Sequence, residues 1–520
     1  MPSRVCAALA GRFDARVASL GDIVQRRHFQ LEETRASFMS ARRVASILER
    51  HVFVVLVAAL AAVLLVLRLR DQVAQDSWLA FLGGREVLEH GLPRTDEIAI
   101  WTGGHEWVDQ QWLAQVVFRG FFAAGGLKLA LFLHMGMLVA AFAIALATAR
   151  ARGASARSAA AVGAVALLAM LPNTAMRTQS LAFLLFAGLL FLLVRDLRAR
   201  DRWVLLSLPL IAVWANVHGS VLVGAGLTIL AGLLRLVEHF RTGRQGRPIR
   251  AALLTVGPLA CLFASPYGFA LVDYYHRILV SPDFSRMVTE WEPTKFPADW
   301  PFFVLALGGL WLAASSRKGL SLLEQLVFVA MLLLGLTAVR NIAWFALAAA
   351  AILPAALDAA WPESTAKRRF RVNVALIGAA GVAVVIFGAS AVLRPTSWYE
   401  RSYPVAAADV VAEAAAAAPE ERIFASERFA DWLVWSHPAL RGRVAYDARF
   451  ELLSRADLER VVRFRGQIGP SWRAAARGYG LLVLEPDLDR GPVAAVKAER
   501  GTQTLYEDDA VVVLRRSRSS

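Results

Sequence analysis

The sequence predicts an α-helical polytopic membrane protein of about eleven spans with a small α/β domain at its C-terminal end. Three observations carry that prediction. Apolar residues make up 57% of the 520 residues and charged ones only 19%, at a mean hydropathy of +0.48, a balance outside the range of soluble domains. The apolar residues gather into runs that approach the roughly 20 residues a bilayer core requires. The connections between those runs alternate in charge, as they do in a chain that weaves through a membrane.

Taken in order, Met1 to Arg50 holds nine Arg against five acidic residues and lacks an apolar stretch followed by a small-residue cleavage site. It therefore reads as a basic cytoplasmic segment, residues 1–50, ahead of an uncleaved signal anchor, "HVFVVLVAALAAVLLVL" from His51 to Leu67. Further spans are expected at Leu127–Ala149, Ser158–Leu171, Gln179–Val194, Trp203–Ala215, Ser220–Phe240 and Ala251–Ser265. The last four are Phe302–Ala314, Leu320–Val339, Ile342–Trp361 and Val372–Leu393. The basic connections "RARGASAR", "RDLRARDR", "RTGRQGRPIR", "SRKG" and "AKRRFR" fall on every second turn, the expected cytoplasmic side. A membrane region 51–393 thus presents large outer loops at 68–126 and 266–301. An odd number of spans sends residues 394–520 out as an extracytoplasmic domain of a size that folds alone.

That tail carries strand candidates "RIFAS", "RVAYD", "GLLVLEP" and "AVVVLRR", separated by helical stretches such as Tyr403–Ala418 and Arg455–Arg465. Phe429, Trp432, Trp435 and Tyr446 are expected mostly in its core, with sugar stacking as the alternative.

Charge and cysteine narrow the function. The net charge of +15 sits largely in the cytoplasmic connections, with five Lys among 57 basic residues, and gives no reason to expect a nucleic-acid partner. Cys6 lies in the head and Cys261 in a span, so no structural disulfide is expected. The cytoplasmic connections are too short to build a phosphate-cradling strand-to-helix turn, and neither GxxxxGK[ST] nor a GxGxxG after a strand occurs. Chemistry is expected on the outer face. The spans hold few charges, which argues against an ion-coupled pump, although the break "WANVHGS" would suit the unwound helix of a carrier.

In the first outer loop, Gln75 to His90 has an amphipathic helical pattern that Gly91-Leu92-Pro93 ends, suggesting a helix on the membrane surface with Glu86 and Glu89 on its solvated side. Asp76 falls in its first turn, where free N–H groups favour a carboxylate. An ordinary helix N-terminus would look the same. Asp96 and Glu97 follow the helix, either near Asp76 or as a solvated turn. "GGHEWVDQQWL" lacks the HExxH arrangement of a zinc site, and Trp107 and Trp112 read as interfacial anchors. Arg177, Arg340 and His218 sit at outer span ends. Arg forks there suit a lipid phosphate, the alternative being snorkelling or helix capping.

These features resemble the GT-C superfamily of integral-membrane glycosyltransferases, of the protein O-mannosyltransferase and aminoarabinose transferase type, in an uncharacterised bacterial branch. The likeness rests on "QDSWLAFLGGREVLEHGLPRTDEIAIWTGGHEWVDQQWLAQVVF", "GGLKL", "WANVHGS", "SPYG", "EWEPT", "RNIAWF" and the tail segment "RIFASERFADWLVWSHPALRGRVAYDARFEL". No paired acidic motif follows the first span; Asp76 stands alone, five residues after Asp71. The resemblance implies a bacterial inner-membrane enzyme that moves a sugar from a polyprenyl-phosphate donor to an extracytoplasmic lipid, glycan or protein by an inverting displacement. It implies Asp76 as general base, Asp96 as its partner in positioning the acceptor, and Arg177, Arg340 and His218 at the phosphate. Glu97, Trp112, Glu290 and Glu292 are further loop candidates. No cofactor is required, and a divalent cation is compatible. The competing readings are a carrier or flippase for lipid-linked saccharides and a non-catalytic scaffold of envelope assembly.

Overall fold

The computed structural model describes residues 51–242, 248–280, 289–315, 319–361 and 370–516. The basic segment 1–50 and parts of the basic connections lie outside them. The chain is mostly helical: α1 (Val52–Leu67), α2 (Gln75–His90), α3 (Trp112–Ala151), α4 (Ala156–Met170), α5 (Gln179–Ala199), α6 (Ser207–Trp214), α7 (Val221–Thr242) and α8 (Pro248–Leu262) come first. There follow α9 (Ala270–Val280), α10 (Trp300–Ser315), α11 (Leu322–Thr337), α12 (Ile342–Ala360) and α13 (Phe370–Leu393).

Each expected span is met by one apolar helix. Among the described residues, six helices are long and apolar enough to cross a membrane and five more apolar helices are shorter. Helix formation satisfies the backbone N–H and C=O groups within each segment, which a hydrocarbon environment demands. α3 is two helices in one, because Gly125 and Gly126 leave helical geometry and Gly126 has φ 67°, a region open mainly to glycine. The kink turns the chain from the first loop into the second span at Leu127, the position read from the sequence.

α12 is the central span, buried along nearly its whole length. Its Trp344 stacks on Trp214 with ring centroids 5.9 Å apart and meets Phe186 edge-on at 5.2 Å. α13 is its opposite: only Ala391 is buried, and the helix packs against α1.

The tail adds α14 (Thr396–Tyr399), α15 (Val405–Ala417), α16 (Glu427–Ser436), α17 (Arg455–Gly466) and α18 (Arg490–Lys497) around a four-stranded sheet. The strands β1 (Ile423–Ala425), β2 (Leu481–Leu484), β3 (Gln503–Glu507) and β4 (Val512–Arg515) lie in the order β1-β2-β4-β3. β1 and β2 are parallel and the other pairs antiparallel. "RVAYD" is not a strand. Val444 makes single bridges to Ile423 and to Ala99, so this segment fastens the first outer loop to the sheet. The strand absent from the sequence reading is β3, whose exposed face hid its periodicity. Phe429, Trp432 and Tyr446 are core residues.

α2 does not lie free on a surface. Gly83 and Gly84 let it approach α3 so closely that a Cβ on Gly84 would collide with the Gln115 backbone and the Arg119 side chain. Its other side meets the tail: Trp78 packs edge-on against Tyr403 at 5.3 Å, and Phe81 packs against Trp435 at 5.6 Å. Arg85 donates to the carbonyls of Trp435 and Val434 at 2.9 and 2.8 Å. The expectation that Glu86 merely faces solvent is corrected. It is 5% exposed and accepts from Arg441 at 2.9 Å, because the tail covers that side of the helix.

Candidate functional site

The five connections that follow the odd-numbered spans, together with the tail, meet at one end of the bundle. They enclose a cavity of about 310 Å³. This convergence requires an even number of crossings between the first loop and the tail, as eleven spans provide. Among the described residues, the connections at the opposite end meet around Arg152, which binds Glu324 and the carbonyls of Gly319 and Ile352 and whose own carbonyl accepts from Arg198.

Asp76 stands in the first turn of α2. The N-cap position is Ala74, which offers no side-chain acceptor, so the carboxylate is the anionic group nearest the free N–H groups. Ser77 does the positioning: it accepts from the Ala74 N–H at 3.0 Å and donates to the Met176 carbonyl at 2.7 Å. The Met176 N–H in turn donates to the Gln72 carbonyl at 2.8 Å. These bonds lash the turn before α5 to the start of α2 and bring Arg177 to Asp76, with Nε 3.4 Å from Oδ2.

Arg177 is shared. Its two terminal nitrogens form a fork on Glu290. Burial opposes the Arg177 charge, but Asp76 and Glu290 outweigh it and hold the guanidinium firmly protonated. Burial likewise opposes the Glu290 carboxylate, and the Arg177 bonds and charge overcome it, leaving that carboxyl below its usual range. Asp76 receives only the remaining attraction. Its burial raises its pKa, Glu290 adds to the rise, and Arg177 and Arg340 only partly offset it. Its side chain remains 36% exposed, and Asp76 lines the cavity.

Arg340, in the turn before α12, lies 4.7 Å over the Trp291 ring and also lines the cavity. The Val339 N–H donates to the Glu292 carbonyl at 2.9 Å, tying this turn to the segment that carries Glu290. His218 occupies the break between α6 and α7. Its Nδ1 accepts from the Ser220 N–H at 3.1 Å and lies 2.8 Å from the Ser220 hydroxyl, which leaves the proton on Nε2. Burial, then Arg340 and Arg177, push it down to about 3, so it is a neutral donor. Asn216 holds the break open by donating to the Ala212 and Ala264 carbonyls at 2.9 and 2.7 Å.

The structure therefore gathers Asp76, Arg177, His218, Glu290 and Arg340 around one space. The other candidates lie elsewhere. Asp96 is 1% exposed and away from the cavity, held by Thr102, by the Ile98 N–H at 2.9 Å and by Arg449 at 2.7 Å. Burial opposes its charge, but Arg449 and these hydrogen bonds leave its pKa below the usual carboxylate value. Glu97 pairs with Arg441 at 3.0 Å and is 63% exposed. Glu292 pairs with Lys295 at 2.6 Å and is 41% exposed. Trp112 donates to Asn216 at 2.9 Å, helping to fix the break. Trp107 is no interfacial anchor: it is 4% exposed, beneath Arg449 at 4.2 Å.

Sequence reading missed the aromatic wall of Tyr274 and Tyr275 on α9, and Gln111, Gln115 and Glu451. "VDYYHR", polar and aromatic within an outer loop, was a usable signal; nothing local distinguishes Glu451. Among the described residues no three His, Cys, Asp or Glu side chains cluster to hold a metal ion. Two of the cavity acids, Asp76 and Glu290, are arranged around the Arg177 guanidinium.

No protein family matches the sequence, and no curated protein is similar to it. Among solved structures, the chain is similar to the archaeal oligosaccharyltransferase AglB from Archaeoglobus fulgidus in complex with an inhibitory peptide and a dolichol-phosphate. The TM-score is 0.51 at 14% identity, over 90% of this chain and 74% of that one. It is also similar to ArnT from Cupriavidus metallidurans bound to undecaprenyl phosphate, with TM-score 0.49 and 14% identity over 89% and 97%. The first likeness is one of fold alone: over most of its length the chain is folded as that oligosaccharyltransferase is.

Proposed function

We propose that this chain is a glycosyltransferase of the bacterial inner membrane that moves a sugar from a polyprenyl phosphate to an extracytoplasmic hydroxyl, inverting the anomeric carbon. The observation that carries the reading is the combination, around one cavity, of an under-compensated carboxylate with two half-buried arginines. A phosphodiester donor brings its anion to Arg177 and Arg340 and the neutral imidazole of His218. The acceptor oxygen attacks the anomeric carbon, Asp76 takes its proton, and the carbon–oxygen bond to phosphate breaks with its electron pair passing to the phosphate oxygen. The arginines stabilise that leaving charge in a poorly solvated space, where fixed charges act most strongly. A base whose pKa is raised toward the working pH is better suited to proton transfer than an ordinary aspartate.

The basic connections at the opposite end support a cytoplasmic assignment for that end and an extracytoplasmic one for the cavity and the tail. Similarity of fold to an oligosaccharyltransferase in complex with a dolichol-phosphate supports a lipid phosphate as the donor's carrier. Asp96, closed in its ion pair, is assigned to holding the tail in place.

The test is mass spectrometry of envelope glycans in a strain lacking the gene, complemented with the wild-type chain or with Asp76→Asn. A glycan lost on deletion, restored by wild type and not by the variant, is the expected result. Restoration by Asp76→Asn would remove the base, and vesicle transport of a labelled lipid-linked sugar by that variant would favour a carrier.

A further inference from the structure

The second span carries a histidine that the site described above does not use. His134 lies about two turns beyond the Gly126 kink of α3 and is 0% exposed. Polar side chains inside a span are costly and are kept mainly where they perform a task. Its Nε2 is 2.9 Å from the Thr174 carbonyl, and a carbonyl oxygen only accepts, so the ring carries its proton on Nε2. Nδ1 is then a bare acceptor, buried and without a partner among the described residues. The ring's one polar act is to donate to a backbone oxygen of another element.

Thr174 belongs to the turn between α4 and α5. It follows the 3-10 turn Leu171–Asn173, stands outside helical geometry, is 1% exposed and donates its hydroxyl to the Leu171 carbonyl at 2.8 Å. A buried carbonyl needs a donor. In a continuous helix that donor would be the Thr178 N–H, but α5 begins only at Gln179, and His134 stands in for it. The rest of the turn is held from the first loop. Arg68 donates to the Leu171 carbonyl at 2.9 Å, Ser77 donates to the Met176 carbonyl at 2.7 Å, and the Met176 N–H donates to the Gln72 carbonyl at 2.8 Å. Arg177 is the next residue, forked onto Glu290 with its Nε 3.4 Å from Asp76.

We propose that His134 is a positioning residue of the site. By occupying the Thr174 carbonyl it keeps the chain from winding into α5 one turn early, and so holds the Arg177 guanidinium against Asp76 and Glu290, where the lipid phosphate binds. The lipid phosphate rests on the donor assignment above; the placement of Arg177 does not.

A residue kept only to fill space predicts otherwise. Leucine suits a span better than imidazole and leaves no unpaired nitrogen, yet it supplies no N–H. Without that donor the Thr174 carbonyl takes the Thr178 N–H. Residues 175–177 become the first turn of a longer helix, the Met176 N–H is among the free groups of that turn, and the guanidinium swings off the two carboxylates. Glutamine keeps an N–H donor at similar reach.

The experiment uses the full-length chain in detergent, as wild type, His134→Leu, His134→Gln and Thr148→Val. The last removes another buried bond of α3, from Thr148 to the Ile144 carbonyl at 2.8 Å, near the other end of the helix. Hydrogen exchange is resolved to single amides, and affinity for undecaprenyl phosphate is measured with and without Arg177→Lys. His134→Leu is expected to speed exchange at Met176 and slow it at Thr178, each by about tenfold, and to weaken lipid binding about tenfold, the scale of one charge-assisted hydrogen bond. His134→Gln and Thr148→Val should stay within about threefold of wild type in both. On top of Arg177→Lys, His134→Leu should change binding by less than about twofold, because it acts through that arginine. General loosening would speed both amides together. That result, unchanged exchange, an equal effect of His134→Gln, or an undiminished loss of binding on top of Arg177→Lys overturns the positioning role. The expected exchange in a protein whose wild type binds no undecaprenyl phosphate overturns the donor reading instead and leaves the placement of Arg177 standing.

Discussion

Asp76 and Asp96 lie twenty residues apart in one loop, each beside an arginine, yet the fold gives them opposite electrostatic fates. Asp96 has Arg449, the Thr102 hydroxyl and the Ile98 N–H around it and no open side. Asp76 has an arginine already forked onto Glu290 and a cavity in front of it. Burial alone would raise both; saturation pulls Asp96 below the ordinary carboxylate value, and the shortage of partners leaves Asp76 above it. A carboxylate becomes chemically available when the fold withholds its last partners, and it becomes structural when the fold supplies them all.

The largest expected effect separates the two on activity. Asp76→Asn should lower transfer by about 10²- to 10⁴-fold, the usual contribution of a general base, with an unaltered elution profile. Arg449→Met should instead act on stability. It strands two carboxylates, Asp96 and Asp447, and removing one partner of a buried pair costs about 3 to 5 kcal/mol. Limited proteolysis should then release the tail from the membrane region. A tail that stays protected in Arg449→Met would show that the contacts of α2 with α16 suffice without the ion pair.

Next comes the sign of the pH dependence, read as thermal unfolding in detergent. The folded pKa of Asp96 is lowered, so its stabilisation is present above the unfolded value and is lost as pH falls through the folded one. The Tm deficit of Asp96→Asn should therefore shrink on acidification. For Asp76 the folded pKa is raised, so stability falls as pH climbs from the unfolded value through the folded one. Asp76→Asn should match or exceed the wild-type Tm at neutral pH. Parallel behaviour of the two variants would abolish the contrast.

Much of this architecture was legible beforehand. The eleven apolar helices, the kink before Leu127 and the limits of α2 follow from hydropathy and from glycine and proline signals, which act locally. Arg177, Arg340 and His218 could be picked out because polar groups at span ends are costly and few. The distinction between Asp76 and Asp96 was not legible, because it depends on Arg449, more than 350 residues away, and on Glu290 competing for Arg177. Glu86 was misread for the same reason: its partner Arg441 lies on the tail, and helix periodicity carries no information about what will cover a helix.

A smaller effect is expected at Glu290, and it sharpens the account of Asp76. Glu290→Gln removes a negative charge that raises the Asp76 pKa and frees the guanidinium that Asp76 shares. In the proposed role of general base Asp76 works when deprotonated, so activity is expected to fall as pH drops through its pKa. With that pKa lowered, the acid limb of the pH–rate profile should move to lower pH, with transfer near neutrality changed by less than about tenfold. An acid limb that stays put would mean that another group titrates there.

The smallest effects should come from the carboxylates that the fold leaves exposed. Glu97 is 63% exposed and adds a second, solvated acceptor to Arg441, whose buried partner is Glu86. Glu292 meets Lys295 in water. Exposed pairs of this kind are worth about 0 to 1 kcal/mol because solvent screens them and ordering two long side chains opposes them. Glu97→Gln and Glu292→Gln should thus leave transfer and Tm within measurement scatter. Glu86→Gln, within the tail contact itself, should lower Tm measurably, since it weakens the buried anchor that Arg441 relies on. If Glu97→Gln proved as damaging as Glu86→Gln, the exposed pair with Arg441 would be part of the tail's attachment, and burial would no longer rank the acids of this loop.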